Sequence, residues 1–313
     1  MIPSSGVDDD GVSEDQEEED IVTEFNVGDI RVATVFDIML PLDARLFFPD
    51  TTDDDWAPHL DWLTEAGGFD PAAGTVLFPV QSYLVRTDRH TILIDTCIGN
   101  DKKRFRGPWN MKTDLTYLHN LAAQGVGPDD IDVVLCTHLH FDHVGWNTRL
   151  DDGRWVPTFP NARHLFSTVD YEHTRAEAEA DAPGSRTFGD SIEPIVEAGL
   201  AELVSSDHAL DDQLWLEPTP GHTPGHYSVR GRSAGREIVF SGDLIHSPVQ
   251  CRHPEWRANP DWDPELAKQT RRAFLQRLAD TDTLAATAHF PQPSVGRIVS
   301  RGDAFDFSPI SRG

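Results

Sequence analysis

The segment from His138 to His143 constrains this chain more than any other, because it places four metal-binding side chains, His138, His140, Asp142 and His143, within six residues. It follows directly on Ile131 to Thr137, a near-continuous apolar run of the kind found in strands covered on both faces. Along an extended segment His138 and His140 share a face while Asp142 and His143 point elsewhere, so one short loop can serve two adjacent metals. Imidazole and carboxylate donors suit zinc and similar divalent ions, and catalytic sites of this kind leave a position open for water. Two such metals, about 3.5 to 4 Å apart, can share a hydroxide, lower the pKa of its parent water and polarise a carbonyl or phosphoryl oxygen. Hydrolysis is the reaction this chemistry favours.

The elements around that loop alternate strand and helix patterns. Ile30 to Val35, Gly74 to Val85 and His90 to Thr96 read as strands, the last ending on Asp95. Leu115 to Val126 has helical spacing and stops at Gly127-Pro128. Ala162 to Phe166 predicts a strand, with Ser167 or Thr168 capping a helix from Val169 to Ala180. Further on, LWLEPTP, HYSVRG and REIVFSGDLI are strands separated by turn-rich segments, and each hands over to a His or Asp. Pro264 to Leu278 is an amphipathic helix with Leu266, Thr270, Ala273, Phe274 and Leu278 on one stripe, and TLAATAHF is a final strand ending on His289. This order predicts an α/β chain of the α+β type: an αββα four-layer sandwich of two mostly antiparallel or mixed sheets flanked by helices. We expect residues 1–20 to form a disordered acidic tail and 21–313 a single catalytic domain.

Charge and cysteine usage narrow the partners. A formal net charge of −27 opposes binding to phosphate backbones, so a small molecule rather than nucleic acid is the expected partner. No run of about 18 apolar residues exists to cross a membrane, and MIPSSGVDDD lacks a basic region and an apolar signal core. A cytoplasmic protein is expected. Cys97, Cys136 and Cys251 are odd in number and lack CxxC spacing, so they suggest neither a disulfide framework nor a cysteine zinc site and fit a reducing compartment. Cys136, beside the apolar Val133 to Leu135, reads as a buried thiol rather than a nucleophile.

Taken in order, His138, His140, Asp142 and His143, then His222 in TPGHTPGH, Asp243 in FSGD and His289 in TAHFP resemble the motifs of the metallo-β-lactamase superfamily. The resemblance runs from about Asp95 to His289. It implies His138, His140 and His222 on one divalent metal, Asp142, His143 and His289 on a second, and Asp243 bridging both. Zinc is the first choice, with iron, manganese and cobalt also suited to these donors. His226 competes with His222, and the family pattern assigns the ligand to His222 and a supporting role to His226. Asp95 matches a strand-end aspartate expected to orient the ligand loop rather than to bind metal.

Within the superfamily, Asp243 points away from true β-lactamases, and the acidic balance points away from RNA-processing relatives. Ile94 to Asn110, Asp152 to Phe166 and Gly242 to Gln250 resemble the branch of quorum-quenching lactonases and methyl-parathion-type hydrolases. That resemblance implies a metal-bridging hydroxide acting on a lactone or ester, as in acyl-homoserine lactonases. Phosphotriesters, or thioesters as in glyoxalase II, are alternatives, and a mononuclear-iron redox enzyme such as a persulfide dioxygenase is a further one. Asp142 is the candidate proton shuttle to the leaving group. His246 stands where small lactonases carry a tyrosine and is the candidate donor to the substrate oxygen. Phe105, Trp109, Phe141, Trp146 and Trp256 are candidates for an apolar pocket, and Phe47 and Phe48 for a lid or a homodimer contact.

Overall fold

Val133, Val134 and Leu135 are adjacent in one strand yet serve two cores, because successive side chains leave a strand on opposite faces. The computed structural model describes residues 24–104, 107–182 and 185–311. The acidic run from Asp8 to Asp20 and Phe105 lie outside the described residues.

The strands are β1 (Glu24–Val27), β2 (Ile30–Asp43), β3 (Phe69–Asp70), β4 (Thr75–Arg86), β5 (Thr91–Ile94), β6 (Val133–Leu135), β7 (Thr148–Asp151), β8 (Arg154–Pro157), β9 (Arg163–Ser167) and β10 (Ala201–Val204) in the first part of the chain. Eight of them form one sheet in the order β1-β2-β4-β5-β6-β9-β10, with β3 beside β4, while β7 and β8 pair with each other. The second sheet runs in sequence order through β11 (Leu214–Pro218), β12 (Tyr227–Ser233), β13 (Arg236–Phe240), β14 (Leu284–Ala286), β15 (Val295–Arg301) and β16 (Ala304–Pro309). Both sheets are mixed, since β5-β6, β6-β9, β9-β10 and β13-β14 pair in parallel and the other pairs are antiparallel.

The helices are α1 (Ala44–Phe47), α2 (Asp53–Trp56), α3 (Leu60–Glu65), α4 (Thr116–Ala123), α5 (Thr168–Glu179), α6 (Glu193–Glu197), α7 (Val249–Arg252) and α8 (Pro264–Leu278). Between the sheets lies a core built from Val133, Leu135 and Leu165 on one side and Val229, Ile238 and Phe240 on the other. Outside the first sheet, Val134 and Phe166 pack with Trp56, Leu63, Tyr117, Leu121 and Ile195 from the helices. Outside the second, Val239 and Ala285 pack with Phe274, Leu275 and Leu278 of α8. These are the four layers of an α/β sandwich, with each strand's alternation dividing its residues between an inner and an outer core.

Parallel neighbours need a crossover: α4 joins β5 to β6, α5 and α6 join β9 to β10, and α7 and α8 join β13 to β14, while the ligand loop and the β7-β8 hairpin join β6 to β9. The carboxyl ends of parallel strands therefore emerge on one edge, where Asp95, His138, Asp243 and His289 follow their strands. Two readings of the sequence need correction. The buried face of α8 is Ala267, Arg271, Phe274, Leu275 and Leu278, whereas Ala273 is exposed, because the helix buries an arginine where hydropathy alone places alanine. The strand before His289 is not the last, since β15 and β16 extend the second sheet beyond it. No helix among the described residues is long and apolar enough to cross a membrane.

Candidate metal centre

Asp95 leaves β5 in the left-handed region, with φ at 61°, which aspartate tolerates better than most residues. The turn aims its carboxylate at the next ligand loop. There it accepts from Thr137 N at 2.7 Å and from His143 Nδ1 at 2.9 Å. A carboxylate only accepts, so His143 carries its proton on Nδ1 and turns Nε2 toward the centre. Two glycines let these loops close. A Cβ on Gly145 would stand 1.8 Å from Ile98 O, and one on Gly242 would stand 2.7 Å from His226 Nε2 and 2.8 Å from Thr137 Cβ.

The GHTPGH loop between β11 and β12 is fixed from three sides. Buried Asp170, on α5, accepts from Gly225 N at 2.6 Å and from Thr223 Oγ1 at 2.7 Å. Burial raises the Asp170 carboxyl to about 6 against those bonds. His226 accepts from Asp243 N through Nε2 at 3.1 Å and bonds Thr219 Oγ1 through Nδ1 at 2.8 Å, so it braces the loop rather than facing the donor groups. His222 donates through Nδ1 to Asp261 Oδ1 at 3.0 Å. Asp261 went unseen in the sequence, where it stands 39 residues from His222 in no motif.

Around Asp243 the remaining donors converge. His143 Nε2 and His289 Nε2 lie 3.1 and 3.0 Å from its Oδ1, and His222 Nε2, His246 Nε2 and His138 Nε2 lie 3.4, 3.2 and 3.8 Å from its Oδ2. Asp142 Oδ2 is 3.8 Å from His143 Nε2 and 3.7 Å from His289 Nε2. His289 donates through Nδ1 to Pro79 O at 3.0 Å, which frees its Nε2 in turn. His140 Nδ1 and His222 Nε2 face each other at 2.9 Å, and with the His222 proton on Nδ1 the donor of this contact is His140 Nδ1. Three donor groups result: His138, His140 and His222; Asp142, His143, Asp243 and His289; and His222, Asp243 and His246. Within each group the donor atoms lie within 4.8 Å of one another, close to the spread that metal bonds of about 2.0–2.2 Å require.

The charges call for a cation. Burial lifts the Asp243 carboxyl, but His143, His289, His246 and His138 outweigh it and hold Asp243 well below the usual range. Burial would lower His143, yet Asp243, Asp95 and Asp142 raise it well above the ordinary imidazole value, and Asp243 and Asp142 raise His289 likewise. Burial and the neighbouring imidazole of His143 push His138 well down, and burial, then His222, does the same to His140. His138 Nε2, His143 Nε2, Asp243 Oδ1 and both His246 nitrogens are buried with no hydrogen bond, although several lie near one another without the alignment one requires. A nitrogen and oxygen donor set with orphaned atoms turned inward fits divalent cations.

A cavity of about 810 Å³ opens onto this centre, with His140, Asp142, Asp243, His246 and His289 at its floor. Leu40, Leu42, Leu46, Phe47, Phe78, Trp109 and Phe141 supply apolar wall. Of the aromatic candidates, Trp109, Phe141 and Phe47 thus reach the cavity. Trp146 instead stacks on Tyr117 in the core at 5.6 Å, Phe48 is fully buried, and Trp256 packs against Trp56 at 5.1 Å. The wall from Leu40 to Phe47 had no motif to announce it, because only the packing of α1 beside the site makes it a wall.

Residues 75–289 match the sequence profile described as Metallo-beta-lactamase superfamily. An N-acyl homoserine lactonase of a Bacillus species is 28% identical over 162 residues, 48% of this chain and 57% of the lactonase. Metallo-beta-lactamase domain-containing protein 1 of Xenopus laevis is 30% identical over 188 residues, 59% of this chain and 62% of that protein. The chain thus spans little more than half the length of these relatives. Among solved structures, the hydrolase AbOPH of the beta lactamase superfamily aligns with a TM-score of 0.78 at 26% identity, over 93% of this chain and 97% of that one. The fold is also that of AidC, described as a dizinc quorum-quenching lactonase, with a TM-score of 0.76 at 23% identity over 94% of this chain and 99% of that one.

Proposed function

The chain belongs to the metallo-β-lactamase superfamily, and from this we propose that it hydrolyses a lactone or an ester through a pair of divalent metal ions, zinc by preference. The observation that carries the reading is the pairing of inward-facing, unbonded donors around Asp243 with an apolar-walled cavity that opens directly onto them. Similarity to the N-acyl homoserine lactonase supports the choice of substrate class. The three buried, unpaired cysteines support a cytoplasmic setting.

In this reading His138, His140 and His222 would hold one divalent ion, Asp142, His143 and His289 would hold a second, and Asp243 would contribute to both. When bound, such a pair supplies Lewis acidity and acidifies water toward neutrality. The chain's own residues do the rest. Asp95 and Pro79 O hold the Nδ1 protons of His143 and His289, so that each Nε2 stays available as a donor. Asp142, partly exposed on the cavity floor, takes up the proton released by the attacking water on the carboxylate oxygen turned away from His143 and His289, and passes it to the leaving alkoxide. His246, lowered by burial and therefore neutral, offers a ring N–H to the substrate oxygen. The apolar wall holds the acyl part and excludes water from it.

The test is a panel of lactones, aryl esters, thioesters and phosphotriesters, assayed with protein of known metal content. Lactone or ester turnover that His140→Ala abolishes is the expected result. Turnover of thioesters alone, or turnover that survives His140→Ala, would overturn it.

A further inference from the structure

Behind His222 sits a buried ion pair that belongs to none of the three donor groups and that no sequence motif marks. The side chains of Arg271 and Asp261 are both fully buried, 3.5 Å apart. Arg271 Nε donates to Leu244 O at 2.9 Å, and its Nη1 donates to Pro254 O at 3.0 Å and Trp256 O at 2.9 Å. Leu244 directly follows Asp243, while Pro254 and Trp256 lie on the way to Asp261. One guanidinium on α8 therefore ties the Asp243 turn to the segment that carries Asp261. The backbone closes the same joint, with Trp262 N donating to His222 O at 3.0 Å and Asp263 N to Gly221 O at 2.9 Å.

The two oxygens of Asp261 have different company. Oδ2 accepts from Ala258 N at 3.0 Å and faces Arg271, whereas Oδ1 accepts only from His222 Nδ1 at 3.0 Å. We propose that Asp261 is a positioning residue that holds His222 as its Nδ1–H tautomer, and that Arg271 and the Ala258 amide fix which oxygen faces the histidine. The inference rests on reading His222 as a metal ligand through Nε2. Generic support of the loop would need no particular tautomer.

Substitution by the isosteric amide separates the two roles. In Asp261→Asn the carbonyl oxygen is drawn to the two donors at the Oδ2 position, which turns the amide NH₂ toward His222 Nδ1. That group can only donate, so Nδ1 must accept and the ring proton moves to Nε2, where the metal lone pair should be. Asp261→Ala leaves the tautomer free. The conservative variant should therefore bind metal worse than the truncation, the reverse of the order that lost packing gives.

The experiment is competition between the metal-stripped full chain and a chromophoric chelator for Zn²⁺, together with ¹⁵N-histidine NMR of the metal-free protein. We expect two Zn²⁺ on the wild type, one of them held about 10-fold more weakly in Asp261→Ala and about 100-fold more weakly in Asp261→Asn. The NMR should show His222 protonated at Nδ1 in the wild type and at Nε2 in Asp261→Asn. The wild-type spectrum tests the tautomer even if a variant fails to fold. Wild type that binds two Zn²⁺ alongside an Asn variant of equal affinity, an Ala variant weaker than Asn, or wild-type His222 protonated at Nε2 overturns the positioning role alone. Wild type that binds fewer than two Zn²⁺ overturns the dinuclear reading and this inference with it.

Discussion

The Nε2 atoms of His59 and His253 face each other across 2.8 Å. Trp62 Nε1 donates to His59 Nδ1 at 3.2 Å, so a neutral His59 keeps its proton on Nε2 and donates it to His253. His253 then carries its own proton on Nδ1, toward Glu255 Oε1 at 3.1 Å. A second proton on His59 would have to sit on Nδ1, where Trp62 Nε1 already donates. The pair joins the residue before α3 to the segment after α7. The same regions meet again where Asn259 N donates to Phe47 O at 2.7 Å and Arg257 pairs with Asp50 at 2.8 Å.

Stability should therefore fall in acid through this pair. Burial, then the charges of His253, Arg252 and Arg301, lowers His59 to about 4 from 6.5, while Asp55 and Glu255 face His253. Between those values the unfolded chain binds a proton that the folded chain refuses. The contribution of His59 is thus present above pH 6.5 and lost as the pH drops toward 4. Urea midpoints measured across this window should fall with pH, and His59→Gln should flatten that limb. An unchanged acid slope in the variant would remove the argument.

Removing metal should destabilise the fold. Ions that bind only the folded state add about 4 kcal/mol at a free concentration a thousand times their dissociation constant. Stripping them leaves Asp243 surrounded by buried, unbonded nitrogens. Calorimetry should show a lower Tm after chelation and recovery on adding Zn²⁺. Equal melting curves would mean that the cluster holds no ion.

Gly145→Ala should cost far more than Gly153→Ala. The first places Cβ 1.8 Å from the Ile98 carbonyl oxygen, a backbone atom that cannot step aside, whereas nothing lies within 4 Å of the second. Gly153 has a φ of +76°, so its variant pays about 1 kcal/mol of backbone strain, against more than about 4 kcal/mol for Gly145. Denaturant unfolding measures both, and comparable losses would show that the loop can shift.

Shaving the cavity wall should alter substrate preference before it alters chemistry. Phe47 packs edge-on against Phe78 at 4.8 Å and His246 at 5.1 Å. Phe47→Ala should raise KM for a long-chain acyl substrate about tenfold, roughly 1.4 kcal/mol of lost apolar contact, and leave short-chain KM nearly unchanged. A uniform loss of kcat across chain lengths would instead assign Phe47 to the chemistry.

What the sequence by itself determined was local. The near-continuous apolar run around Val133 to Leu135 specified a strand buried on both faces, and the spacing from His138 to His143 brought four donors together, because neighbours in sequence are neighbours in space. The order of His222, Asp243 and His289 carried the family resemblance without giving any distance. Tertiary structure decided the rest. It set Pro79 O behind His289, turned Trp146 into the core while Phe47 reached the cavity, and buried Arg271 on the inner face of α8 behind Asp261 and His222. Such supports come from residues tens to hundreds of positions away, and what selects them is the hydrogen-bonding need of a buried ring nitrogen, which no sequence spacing encodes.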